Sequence, residues 1–64
     1  MDRNTIMYIL KEIIKLSDNI ETKLIAIKNN VSDENSADHE YIENIQSHVE
    51  EIRYTIADYK AEIQ

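Results

Sequence analysis

The residues best suited to chemistry in this 64-residue chain lie in one short run, His39-Glu40-Tyr41-Ile42-Glu43, with a second histidine nearby at His48. A zinc-protease helix sets two histidines four residues apart so that both reach the metal, with a glutamate beside the first acting as base. Here Glu43 stands where the second histidine belongs. His39 and Glu43, one turn apart on a helix, can share a cation, but His48 falls on a different face. Two ligands are too few for a structural site that takes four. These side chains read as surface residues near a helix start, so no metal and no cofactor is expected.

Covalent catalysis is no better served. The chain has no cysteine, its four serines (Ser17, Ser32, Ser36, Ser47) sit at cap or helix-surface positions, and it has no glycine. Without a glycine-rich loop there is nothing to cradle a phosphate or build an oxyanion hole. The expectation is a protein that is not an enzyme and has no catalytic residue.

The elements that carry these residues are helices. Glycine and proline are both absent, which removes the usual agents of tight turns and sharp breaks. In the first half, apolar residues fall at Ile6, Leu10, Ile13, Ile20, Leu24, Ile27 and Val31, in alternating steps of three and four once Ser17 joins the series. The second half repeats the pattern at Ile42, Ile45, Val49, Ile52, Ile56, Tyr59 and Ile63. Each series is a heptad seam. The only cluster of turn and cap formers is Asn29 to Ser36, so the reversal belongs there. The spacing predicts one domain over residues 1–64, an all-α antiparallel two-helix hairpin with helix 1 over about 3–30, a turn over about 31–35 and helix 2 over about 36–63. Asp2 or Asn4 can cap helix 1. Asn29 or Asn30 can close it in the left-handed conformation, and Ser32, Asn35 or Ser36 can cap helix 2. Ser17 is expected to be a tolerated small residue that bonds to a carbonyl of its own helix, the alternative being a polar contact that sets the register.

Charge divides unevenly between the helices. Residues 1–30 hold five Lys or Arg against four acids, and residues 31–64 hold two against nine, which together give the net charge of −6. Opposite charge across the hairpin favours pairing by a few tenths of a kcal/mol per exposed pair. The start of the chain has no signal-peptide h-region, and no segment approaches the length of a membrane span. With no cysteine, a cytoplasmic protein without membrane contact is expected. Ile, Asn and Lys supply 23 of the 64 residues, a bias that suits an AT-rich genome such as a low-GC bacterium or its phage.

Beyond the seam, Met7, Ile9, Ile14 and Leu16 flank helix 1 at its open end. Burying four such side chains contributes roughly 6–12 kcal/mol at about 1.5–3 kcal/mol each, against a total stability of roughly 3–10 kcal/mol for a chain this size. That surplus predicts a homodimer forming a four-helix bundle, with Ile6, Met7, Ile9, Leu10, Ile13, Ile14, Leu16, Ile52, Ile56 and Tyr59 as its interface. Glu40, Glu43, Glu50, Glu51, Tyr54 and Asp58 form an outward acidic side of helix 2. They suit docking on a basic surface of another protein. Tyr8 and Tyr54 are candidate aromatic anchors.

The length, the two equal helices, the short polar turn and the acidic balance resemble Rop, the plasmid-encoded dimeric four-helix bundle that binds paired RNA loops. The resemblance covers the layout of the whole chain. It implies RNA binding by the paired copies of helix 1, to which Tyr8, Lys11, Lys15, Asn19 and Lys23 can contribute, although Glu12 and Asp18 interrupt that set. Phosphate binding requires a net positive patch. The function expected first is therefore a small regulatory or inhibitory protein docking on another protein, of the anti-defence kind that phages and mobile elements encode. A Rop-like RNA binder and a structural bundle subunit of a larger assembly are the alternatives.

Overall fold

A computed structural model of the chain describes residues 1–32, 34 and 36–64. Two helices of 28 residues each, α1 (Arg3–Asn30) and α2 (Ser36–Ile63), pack against one another as a hairpin. No strand occurs among the described residues.

α1 begins because Asp2, in extended conformation, accepts a hydrogen bond from the Thr5 backbone N–H at 2.7 Å. One of the four orphan donors of the first turn is thereby satisfied, and a carboxylate is set on the positive end of the helix dipole. The Thr5 hydrogen bonds hold the Asp2 carboxyl below its ordinary value of 3.8.

The other end of α1 departs from expectation. No described residue has a positive φ, so neither Asn29 nor Asn30 adopts the left-handed cap. The helix instead stops at Val31, which is extended (φ −90°, ψ 135°) and packs against the core residues Leu24, Ile42 and Val49. Burying a β-branched side chain that favours extended backbone decides the exit direction. Asn30 caps differently, donating through its side-chain amide to the Ala26 carbonyl at 2.7 Å. Ser32 accepts from the Glu34 backbone N–H at 3.3 Å through its hydroxyl. Asn35, a candidate cap for α2, lies outside the described residues.

The hairpin is pinned at its open end, where Arg3 donates to the Ile63 carbonyl at 2.7 Å. A cation there meets the negative end of α2. Its core is a single row per helix at seven-residue spacing: Leu10, Ser17 and Leu24 from α1, and Ile42, Val49 and Ile56 from α2. Ser17 bonds to the Ile14 carbonyl of its own helix at 2.7 Å, as expected, and its hydroxyl also accepts from Arg53 of the facing helix, the polar contact given as the alternative.

Part of the expected seam does not close. Ile13, Ile20 and Ile27, with Ile45, Ile52 and Tyr59, remain between 37% and 50% exposed. The positions flanking the buried row on its other side, Met7, Ile14 and Glu21 on α1 and His39, Gln46, Arg53 and Lys60 on α2, are half-buried. The resulting body measures 49 × 16 × 13 Å, with a radius of gyration of 15.1 Å. A compact chain of this length would have a radius of about 11 Å.

Candidate association surface

Helical geometry explains how one heptad pattern produces two different flanks. From a residue in the buried row, the side chain three positions on turns about 60° to one side, and the one four positions on turns about 40° to the other. Antiparallel pairing reverses the sense of α2. The two rows three positions on therefore come to the same side of the hairpin, and the two rows four positions on come to the opposite side.

The latter side is closed by a polar cluster centred on Arg53. Its guanidinium donates to the Ser17 hydroxyl at 3.2 Å and to Asp18 at 2.5 Å, and it pairs with Glu21 at 3.0 Å. The hydrogen bond to Glu21, aided by the charges of Glu21, Asp18 and Glu50, holds the guanidinium further into its charged form, against a smaller opposing effect of burial. A fork with several donors spans acceptors on the facing helix where a single-headed lysine cannot. Arg53 thus joins the buried Ser17 to α2 and makes this side a specific contact within one chain.

The opposite side has no such closure. Ile6, Ile13, Ile20 and Ile27 form one row, and Asp38, Ile45, Ile52 and Tyr59 form the row beside it. Ile9 and the 60% exposed Leu16 widen the α1 edge. Apart from Asp38 at the loop end, this face is apolar over nearly the whole length of the hairpin. Apolar side chains scattered singly on a surface are ordinary, but two adjacent aligned rows form a contiguous patch of the kind that marks an association site.

The structure divides the ten residues expected at an oligomer interface. Ile9, Ile13, Leu16, Ile52 and Tyr59 are exposed on the open face, with half-buried Ile6 at its end. Leu10 and Ile56 are buried inside the hairpin, and Met7 and Ile14 lie half-buried on the Arg53 side. The spacing assigned Ile20, Ile27 and Ile45 to the internal seam, yet they stand on the open face, so exposed apolar surface extends to the loop end as well as the open end. The signal that separates the flanks is the polar pair: Glu21 and Arg53 lie four positions beyond Ser17 and Val49, and they mark the side that closes.

The acidic candidates Glu40, Glu43, Glu50, Glu51 and Asp58, with Tyr54, are all exposed on α2. Tyr8 is likewise exposed on α1. On the proposed RNA-facing side of α1, Lys15 already pairs with Glu12 at 3.6 Å, and Asp18 is held by Arg53. His48 lies 3.8 Å from Glu51. Among the described residues no group of three or more His, Asp or Glu converges as a metal site would require, no pocket is formed, and no helix is long and apolar enough to cross a membrane. No protein family, no curated protein and no solved structure gave a significant match to the chain.

Proposed function

We propose that this chain acts by protein–protein association and not by catalysis, as a small, acidic, cytoplasmic regulatory or inhibitory protein. The observation that carries the reading is the open apolar face, built from rows that lie beside the buried core of the hairpin and stay half-exposed along its length. Leaving such a face in water forgoes burial at about 25 cal/mol per Å², which a 64-residue helical pair with one thin core can ill spare. Recognition of a second protein falls to the exposed acids of α2 around Tyr54, because their charge selects and steers a basic partner.

The test is capture of partners by the full chain compared with two variants, Glu40→Lys with Glu43→Lys, and Ile20→Glu with Ile45→Glu. A protein held by the unaltered chain and released by charge reversal or by high salt supports the reading. Capture indifferent to both variants counts against it. Retardation of structured RNA at low salt, with no protein retained, overturns it in favour of RNA binding.

A further inference from the structure

The hairpin closes on the more polar of its two flanks. The side it half-buries carries Met7, Ile14 and Glu21 from α1 with His39, Gln46, Arg53 and Lys60 from α2. The side it leaves more open carries Ile13, Ile20 and Ile27 with Ile45, Ile52 and Tyr59. Apolar burial alone favours the reverse. The rows on either side of the buried one stand about 50° from it. Turning each helix about 25° around its own axis, in opposite senses like meshed gears, would centre the contact between the buried row and the isoleucines. That is the ordinary heptad seam, and reaching it needs no slip of register.

We infer that the Arg53 cluster is a rotational lock, which holds the hairpin on its polar flank and so keeps the isoleucine face uncovered. The three nitrogens of the guanidinium engage three different residues of α1. Nε donates to the Ser17 hydroxyl, Nη1 pairs with Glu21 and Nη2 with Asp18. Around the axis of α1, with Ser17 as zero, Glu21 stands about 40° and Asp18 about 100° toward the closed side. A grip across that arc fixes the angle of α1 as well as its distance. Turning α1 toward its isoleucines would carry Glu21 and Asp18 away from Arg53, which would itself move outward on α2. A planar fork with donors in fixed directions can hold such an angle, and a lysine cannot.

The other described tie between the helices does not choose a flank. Arg3, which donates to the Ile63 carbonyl, continues the seven-residue row of Leu10 and Ser17, and Ile63 continues that of Val49 and Ile56. The choice therefore falls to Arg53. The inference deepens the association reading and rests on it for its purpose, because it says what keeps the proposed contact surface available.

The chain has no cysteine, so introduced pairs report which flank is closed. One turn in from the Arg3 contact, positions 7 and 60 lie on the closed flank and positions 6 and 59 on the open one. Met7→Cys with Lys60→Cys, and separately Ile6→Cys with Tyr59→Cys, are made in the unaltered chain and together with Arg53→Met. Linking within one chain is timed in dilute solution on a non-reducing gel. The first pair is expected to link faster with Arg53 in place, and its lead to be lost or reversed with Arg53→Met. A lead that Arg53→Met leaves unchanged or enlarges overturns the lock, and so does faster linking of the second pair in the unaltered chain. If Arg53→Met loses its helicity, Asp18→Asn with Glu21→Gln takes its place, with the same change expected. Loss of helicity there too overturns the inference, since the hairpin would have no second facing to adopt. A lost or reversed lead that leaves capture of a protein partner undiminished keeps the lock and overturns the association reading instead.

Discussion

The two flanks of the buried row are built from the same periodicity and end in opposite conditions. On one, Ile14, Glu21, Gln46 and Arg53 are half-buried, and a guanidinium ties Ser17, Asp18 and Glu21 to the facing helix. On the other, Ile13, Ile20 and Ile27 stand beside Ile45, Ile52 and Tyr59 and stay half-exposed. A directional polar contact specifies one register and one neighbour, whereas an aliphatic row accepts any apolar surface that fits it. The hairpin thus uses its specific chemistry in folding back on itself and leaves its non-directional surface uncovered.

The largest effect is expected from breaking the open flank. Ile20→Glu with Ile45→Glu forgoes the remaining burial of two side chains that are 43% and 44% exposed, about 0.6–1.3 kcal/mol each in any complex that covers them, and adds the larger cost of carrying two carboxylates into an apolar contact. Sedimentation should find only monomer, and a complex surviving these changes would show the face to be free. Next is the row that both flanks share. Leu24→Ala should cost about 2–5 kcal/mol by leaving a cavity, read as a lowered midpoint in urea. An unchanged midpoint would mean that the hairpin core does not hold the chain together.

The closed flank sharpens the contrast. Arg53→Ala should lower the melting temperature by less than Leu24→Ala does, and raised salt should shrink the difference between Arg53→Ala and the unaltered chain. If instead it abolishes association without affecting the hairpin, the flanks have been assigned the wrong way round. Ile9 and Ile14 divide in the same manner, so Ile9→Glu should act on association and Ile14→Glu on folding.

The smallest effect belongs to Asp2. Its carboxyl titrates below 3.8 in the folded chain because it accepts from Thr5. The stabilisation is therefore complete above the unfolded value and is lost as pH falls through the lower folded value. Asp2→Ala should flatten that acid limb in a helicity titration by circular dichroism, and an identical limb would mean the cap is not formed.

Much of the architecture is legible in residue order. A chain with no Gly or Pro, two heptad series and one cluster of Asn, Ser and Asp can do little else than form two helices and reverse once. What the periodicity could not separate was the two flanks, since steps of three and four from a common row both fall within one apolar stripe about 100° wide. Ile13 and Ile14 are adjacent isoleucines with opposite fates, and hydrophobicity alone does not rank them. The decision came from Arg53, thirty-six residues from Ser17, a pairing that no local pattern announces. The exit of α1 was misjudged for a related reason. Asn is a good left-handed cap locally, but the chain leaves the helix in an extended conformation that packs Val31 against the cluster of Leu24, Ile42 and Val49.

The seven-residue spacing of Leu10, Ser17 and Leu24 against Ile42, Val49 and Ile56 also has a consequence for shape. A straight α-helix turns 3.6 residues per revolution, so a row repeating every seven drifts by about 20° per heptad unless the helices wind around each other in a left-handed sense. The rows beside it share that spacing and must follow the same winding. The open face is then a slowly twisting strip, which matches another wound helix pair along its length and parts from a flat surface after a turn or two.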